Sequence, residues 1–406
     1  MKSNIADRVY KTIMLVVLTA LITFIVTTVF WKNNLKVTTN VASISKESKD
    51  TISEITSKLE YYRTFIDKYY IFDVNEDDLV DQTIVGYFKG LGDKYSEYIT
   101  PSEMKESLEE IKGKFVGIGV YLANDKVENK ILVLAPMENS PAEEAGIKPG
   151  DYILKVDGNS YKGEEMSEAC DKLQAEAGTY ATVTIERDGE VFDLQVERRV
   201  VQSHYVHSKI FDDNIGYLEI ESFDDGTYKD FVEKYNELKE QGITSLIIDL
   251  RDNGGGIVDE AVDIADLFVD KDKTLLITKS KNKDEVEVLS KKAKEIDIPV
   301  VLLVNGNTAS ASEILTMTLK ENVENLKIVG TKTYGKGVIQ TIFSLKDGGG
   351  IKLTTEEYFS PSHEKIHEVG VTPDYELEFK LPAGVSKYLY EDKDDNQLQK
   401  AIELLK

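Results

Sequence analysis

Apolar and polar positions follow several distinct rhythms along the chain, and each predicts a different element. Residues 12–31 (TIMLVVLTALITFIVTTVFW) are almost wholly apolar and follow Lys2, Arg8 and Lys11. A run of that length suits a bilayer-crossing helix, with the basic flank kept in the cytoplasm. No A-x-A-like cleavage site closes it, so the expectation is an uncleaved signal anchor with everything after Lys36 outside the cytoplasm. Beyond a polar Ser/Thr/Asn-rich stretch, Ile52, Ile55, Leu59, Tyr62, Ile66 and Tyr69 recur at spacings of three and four. They form an a/d seam that suits either a helix packed on its own domain or a dimerisation arm. Asn75 can cap a second helix carrying Leu79, Val80, Ile84, Tyr87 and Phe88, and Thr100-Pro101 opens a third with Met104, Leu108 and Ile111 on one side.

Residues 115–199 change to short strands. A glycine-spaced loop, Val116-Gly117-Ile118-Gly119-Val120, leads into YLA; then come ILVLAP, a short helix opened by Ser140-Pro141, DYILKVDG, a helix around 165–175, ATVTIERDG and EVFDLQVERR. After Val200 strands alternate with helical stretches: IGYLEIESF, a helix over 227–240, ITSLIIDLR, a triple-glycine turn, a helix over 257–269, TLLITK and IPVVLLVN. That order predicts an α/β layer architecture. The lysine-rich residues 279–294 read as a solvated loop or helix face, and the C-terminal DDNQLQKAIELLK as an amphipathic helix.

Composition narrows the classes. The chain has 406 residues and 41% hydrophobic content, enough for two or three packed domains. Its net charge of −24 disfavours nucleic acid as a partner. The single cysteine, Cys170, excludes an intrachain disulfide and a thiolate-rich zinc site, and its place on an apolar helix face suits packing.

Three patterns compete for the chemistry. His363-Glu364-Lys365-Ile366-His367 is a literal H-E-x-x-H, which in zinc peptidases needs both histidines one turn apart on a helix. Pro361 before it and Gly370 and Pro373 after it leave little room for one, so the zinc reading with His363 and His367 is the weakest. Gly330-x-x-x-x-Gly335-Lys336-Gly337 lacks the Ser or Thr that a phosphate-binding loop needs after its lysine, and a strand pattern follows. The third is residues 305–340, where Ser310-x-x-Glu313 is a capping box before the apolar run Ile314, Leu315, Met317 and Leu319. A hydroxyl at that helix end and a lysine in the Gly335-Lys336-Gly337 turn could meet as nucleophile and base, provided burial keeps the lysine neutral. Spacing alone does not choose between Ser310 and Ser312.

Taken together these segments resemble the carboxyl-terminal processing peptidases, which join a PDZ domain to a Ser-Lys serine protease core. The resemblance is carried by Gly90-Leu91-Gly92-Asp93-Lys94-Tyr95-Ser96, by Leu250-Arg251-Asp252-Asn253-Gly254-Gly255-Gly256, by Thr308-Ala309-Ser310-Ala311-Ser312-Glu313, by Thr333-Tyr334-Gly335-Lys336-Gly337 and by Gly370-Val371-Thr372-Pro373-Asp374. Residues 115–199, with SPAEEAGIKPGDYILKVDG, resemble a permuted bacterial PDZ domain. The resemblance implies Ser310 as nucleophile, Lys336 as general base and Gln340 steadying the lysine. It implies an oxyanion hole from the N–H of Ala311 and one from Gly255 or Gly256, and a PDZ loop, Val116 to Val120, that takes a peptide's terminal carboxylate while the tail adds a strand. No metal or organic cofactor is implied. Gln174 stands where family members often carry an arginine linking the PDZ domain to the protease, which puts that activation link in doubt.

The expected fold is therefore multidomain α/β. It comprises a transmembrane segment (1–36), a helical region (37–112), an α+β PDZ domain (113–199), an α/β protease core of the ClpP/crotonase-like kind (200–380) and a C-terminal helical segment (381–406). The expected activity is that of a single-pass, membrane-anchored, extracytoplasmic serine endopeptidase acting on proteins with exposed C-terminal tails. The membrane would be met through residues 12–31 and a second copy through the N-terminal helix. The alternative of a different class is a non-catalytic PDZ adaptor for protein tails.

Overall fold

Near-continuous apolar runs such as Val-Val-Leu-Leu-Val at 300–304 mark strands buried on both faces, and they build the sheet that positions everything else. The computed structural model describes residues 45–104, 114–202, 204–281, 283–383 and 385–406. It divides into two compact units, residues 1–76 and 77–406.

In the first unit, α1 (Lys46–Tyr69) is capped by Ser45, whose side chain accepts from the Ser48 N–H, and none of its residues is buried. The seam residues Ile52, Leu59, Tyr62 and Tyr69 are all exposed.

Apart from its first residue, α2 (Glu76–Lys89) belongs to the second unit, and β1 (Glu97–Ile99) follows it. Helix continues over 101–104, and the part of the third expected helix with Leu108 and Ile111 lies outside the described residues. The PDZ portion follows as β2 (Lys114–Gly117), β3 (Val120–Asp125), β4 (Lys130–Pro136), α3 (Pro141–Glu144), β5 (Tyr152–Val156), β6 (Asn159–Ser160), α4 (Met166–Leu173), β7 (Tyr180–Arg187), β8 (Glu190–Glu197) and β9 (Arg199–Gln202). Its sheet runs β3-β4-β5-β7-β8, leaving β3 at an edge, while β2 pairs with β9 in a separate ribbon. Ile131, Val133, Ile153, Val183, Ile185, Ala169 and Leu173 fill its core. Cys170 is half-buried on α4, and burial pushes its thiol above the ordinary value, so it is not an activated nucleophile.

The rest of the chain forms β10 (Val206–Phe211), β11 (Ile215–Ile220), α5 (Thr227–Glu240), β12 (Ser245–Asp249), α6 (Val258–Asp266), β13 (Thr274–Ser280), β14 (Val286–Leu289), β15 (Val300–Val304), α7 (Ala311–Asn322), β16 (Lys327–Gly330), β17 (Val338–Ser344), β18 (Gly350–Phe359), β19 (Tyr375–Glu376) and α8 (Asn396–Leu405). The main sheet runs β10-β11-β12-β15-β16-β19, and its inner strands are parallel. Leu246, Ile248, Leu302 and Val304 face α5, α6 and α7 on one side. The alternate residues Ile247, Val301 and Leu303 face Leu398 and Ala401 of α8 on the other. A second, antiparallel sheet joins β1, β18, β13 and β14, with β17 on β18.

Two expectations are corrected here. Among the described residues no helix is long and apolar enough to cross a membrane, so the supported fold is multidomain α/β with PDZ and protease portions, and the expected N-terminal transmembrane helix is not supported. The apolar run 12–31 that suggested one lies outside the described residues. Within the supposed solvated stretch 279–294, residues 286–289 (Val-Glu-Val-Leu) form β14, an edge strand held by β13. Val288 packs against the protease core, but four residues between charged stretches are too short a run for their alternation to stand out.

Candidate active site

Helix α7 starts where the chain leaves buried strand β15 and turns sharply. Ser310 makes that turn with φ 58° and ψ −118°, a conformation that a non-glycine residue holds only under constraint. The constraint is Glu313. Fully buried, its carboxylate accepts from the Ser310 N–H at 3.0 Å, the cap that the sequence predicts. The same carboxylate also accepts from Thr333 Oγ1 at 2.6 Å, the Gly335 N–H at 2.7 Å and the Lys336 N–H at 2.8 Å. One side chain thus ties the serine's helix end to the lysine's turn. Tyr358, also fully buried, adds a second tie: its hydroxyl lies 3.1 Å from the Ser310 carbonyl and donates to the Lys336 carbonyl at 2.6 Å.

The glycines beside Lys336 are explained by packing. A Cβ on Gly337 would lie 2.2 Å from the His367 N, and one on Gly370 would lie 2.5 Å from the Thr333 carbonyl oxygen. The loop carrying His363 and His367 therefore packs main chain against main chain on the lysine turn, and the Glu368 N–H donates to the Gly335 carbonyl at 2.8 Å. This loop is a series of turns in which His363 and Glu368 have positive φ. The two imidazoles do not share a helix face, so the zinc-peptidase reading of His363 and His367 fails on geometry. The Walker-like reading fails likewise, because β17 rather than a helix follows Gly337.

Ser310, Lys336, Gln340 and Gly256 wall one cavity of about 440 Å³, together with Asp224, Asp259, Ile339 and Lys352. Lys336 is half-buried there, and burial pushes its ammonium below the ordinary lysine value, with the nearby Lys352 charge pushing the same way. The Tyr95 ring lies 5.1 Å from its Nζ. Gln340 reaches the wall beside a β-bulge, and its amide nitrogen donates to Thr354 Oγ1 at 3.4 Å. Ser312, the other candidate serine, is fully buried and donates its hydroxyl to the Asn253 carbonyl at 3.0 Å.

The triple-glycine turn sits directly against the serine. A Cβ on Gly255 would come within 2.7 Å of Ser310 Cβ and 2.9 Å of the Ala311 N. The Gly255 N–H, however, donates to the side chain of Asn253 at 2.9 Å, which removes Gly255 from the expected oxyanion donors. Among the described residues nothing accepts from the N–H of Gly256 or of Ala311. In the PDZ loop the Ile118 side chain lies in the core, 1% exposed, and the Ile118 and Gly119 carbonyls accept from Ala142 and Met137. Their own N–H groups find no acceptor among the described residues, so this loop contributes main chain rather than side chains. Val116 and Val120 are half-buried at the ends of β2 and β3, and Gly117 packs beside Gln174.

Tyr358 carries no signal in the sequence, and Tyr95 only its place in the Gly90–Ser96 segment. For Glu313 the capping box was the only signal, and it showed one of four bonds.

An apolar-lined cleft that joins a serine to a lysine of lowered proton affinity, beside an edge-stranded α+β module, defines a class of PDZ-bearing serine peptidase. Residues 214–377 match the model of peptidase family S41, and residues 132–187 match that of a PDZ domain. The carboxy-terminal processing protease CtpA of Bacillus subtilis (strain 168) is 34% identical over 362 residues, spanning 88% of this chain and 76% of that protein. A protein described as a CtpA-like serine protease in Staphylococcus saprophyticus is 35% identical over 341 residues, spanning 83% of this chain and 67% of its own. A solved Bacteroides fragilis structure described as an S41 protease shares the fold, with TM-score 0.58 at 18% identity over 79% of this chain and 89% of that one. The chain belongs to the S41 carboxyl-terminal processing peptidases and is a serine endopeptidase with a PDZ domain.

Proposed function

We propose that the enzyme cuts peptide bonds in exposed C-terminal tails with Ser310 as nucleophile and Lys336 as general base. The observation that carries this is the one cavity that Ser310 and Lys336 both line, their main chains tied by Glu313. The neutral Lys336 amine takes the Ser310 proton as Oγ attacks the carbonyl carbon. Negative charge then builds on the carbonyl oxygen, and the unclaimed N–H groups of Ala311 and Gly256 stabilise it. Collapse to the acyl-enzyme expels the amine, which receives the proton from Lys336, and water deprotonated by Lys336 releases the acyl group. Gln340 keeps its amide oxygen available to accept from the lysine when it is charged.

The tail is delivered by the PDZ domain. Edge strand β3 can accept it as an added strand, and the Ile118 and Gly119 N–H groups can take its terminal carboxylate. The seam of α1, with no buried residue, supports a homodimer through that helix; a monomer at working concentration would contradict it. The catalytic domain is assigned outside the cytoplasm on the strength of Lys2, Arg8 and Lys11 ahead of the apolar run. Protection of that domain from protease added to intact, wall-stripped cells would contradict this placement.

The test is cleavage of a protein bearing an unstructured apolar tail. Ser310→Ala and Lys336→Ala should each lower kcat/KM at least about a thousandfold, and a chelator should change nothing. Cleavage that survives either substitution, or that a chelator abolishes, overturns the reading.

A further inference from the structure

Lys352 is the second basic group in the catalytic cavity, and beyond its push on Lys336 the proposed reaction gives it no task. It sits on β18 opposite Ile342 of β17 and Glu97 of β1. Its side chain walls the catalytic cavity and also a neighbouring one of about 470 Å³, lined by Val85, Phe88, Tyr98 and Ile99. Ile342 is common to both walls, so the two cavities adjoin along this strand pair. The Lys352 ammonium is 3.1 Å from Glu97 Oε1, an exposed carboxylate. An ammonium has three N–H donors, so this bond leaves donors for a ligand.

The charge layout is polar across the cleft. Lys336 and Lys352 lie on the β17–β18 side, whereas Asp224 and Asp259 lie on the glycine-turn side. In a chain of net charge −24, two lysines on one wall make it a favourable place for a substrate carboxylate. Ile257, Ile339 and Ile342 between the two ends suit an adjoining apolar side chain.

We propose that Lys352 is a specificity-determining residue that binds a substrate carboxylate beside the scissile bond, shared between the catalytic cavity and its neighbour. The inference rests on Ser310 and Lys336 marking the catalytic cavity. The carboxylate is an Asp or Glu side chain, or a chain terminus within a few residues of the cut. Glu97 holds Lys352 in place when the site is empty and competes with the incoming group.

Three peptides sharing one apolar stretch test this: one with a Glu near the cut, one with a free terminus there, and one neutral, with Gln and an amidated end. Each is assayed with the wild-type enzyme, Ser310→Ala, Lys352→Gln, Lys352→Arg and Glu97→Gln, and acid-to-neutral ratios of kcat/KM are compared. Ratios cancel any effect of Lys352 on Lys336, because it is common to all peptides. The wild type should favour at least one acidic peptide about tenfold, through KM, and the favoured peptide identifies the carboxylate's source. Lys352→Gln should bring the ratio near unity, Lys352→Arg should keep most of it, and Glu97→Gln should raise it a few-fold. A wild-type ratio near unity, a ratio unchanged in Lys352→Gln, or one that fails to rise in Glu97→Gln overturns the proposal. Cleavage of the neutral peptide by the wild type, and its loss in Ser310→Ala, reports separately on the nucleophile.

Discussion

At the protease cavity, Gly255, Gly337 and Gly370 each bring one stretch of main chain against another, where a Cβ would stand 2.7, 2.2 and 2.5 Å from its neighbour. In the PDZ loop Gly119 does something different: at φ 74° it packs on Ser140, and with Ile118 it turns its carbonyls inward to Met137 and Ala142. The first region uses glycine so that side chains from distant segments converge. The second uses glycine so that the main chain itself stays available. Substitutions in the first should therefore damage chemistry and stability together, whereas those in the second should damage capture of tails more than turnover.

Four substitutions test that contrast. Glu313→Ala leaves buried donors of Ser310, Thr333, Gly335 and Lys336 unpaired. It should cost at least about 3 kcal/mol in denaturant titration and about a hundredfold or more in kcat, since hydrogen bonds to a charged group are the strong ones. Gly337→Ala forces the His367 loop away from the lysine turn and should cost about 1–3 kcal/mol, with a parallel fall in kcat. Gly119→Ala meets both a positive φ and the Ser140 side chain, and should weaken a tail peptide's binding to the PDZ domain roughly tenfold in calorimetry. If short peptides lost as much kcat/KM as tailed proteins did, the contrast between the regions would fall. Tyr358→Phe removes one hydroxyl shared by two carbonyls and should cost about 1 kcal/mol by thermal or chemical melting, with a modest loss of kcat.

The layers of the protease core were legible because both-face burial writes itself as apolar runs, and α5 begins and ends where its pattern predicts, Thr227 to Glu240. The candidate site was legible as segments but not as geometry. Choosing Ser310 over Ser312 depends on the Asn253 carbonyl, 59 positions away, which claims the Ser312 hydroxyl. The loss of Gly255 as a donor follows from an Asn side chain bonding its own main chain two residues on, a local turn habit that the sequence Asn253-Gly254-Gly255 does advertise. The pairing of Lys352 with Glu97 spans 255 positions and has no local signal at all. The H-E-x-x-H segment, the weakest reading in the sequence, fails for a physical reason: its histidines lie in a loop whose main chain props the lysine turn.

The proposed chemistry needs Lys336 neutral enough to take a proton from Ser310. Burial and Lys352 disfavour its charged form, so the neutral fraction rises as pH climbs through a value below the ordinary 10.5. The most direct measurement is the rate at which a fluorophosphonate labels the enzyme, followed against pH with the site of attachment read by mass spectrometry. The prediction is label on Ser310, at a rate that rises with pH to a midpoint clearly below 10.5 and collapses in Lys336→Ala. Label on Ser312, or a rate and pH profile that Lys336→Ala leaves intact, would contradict it.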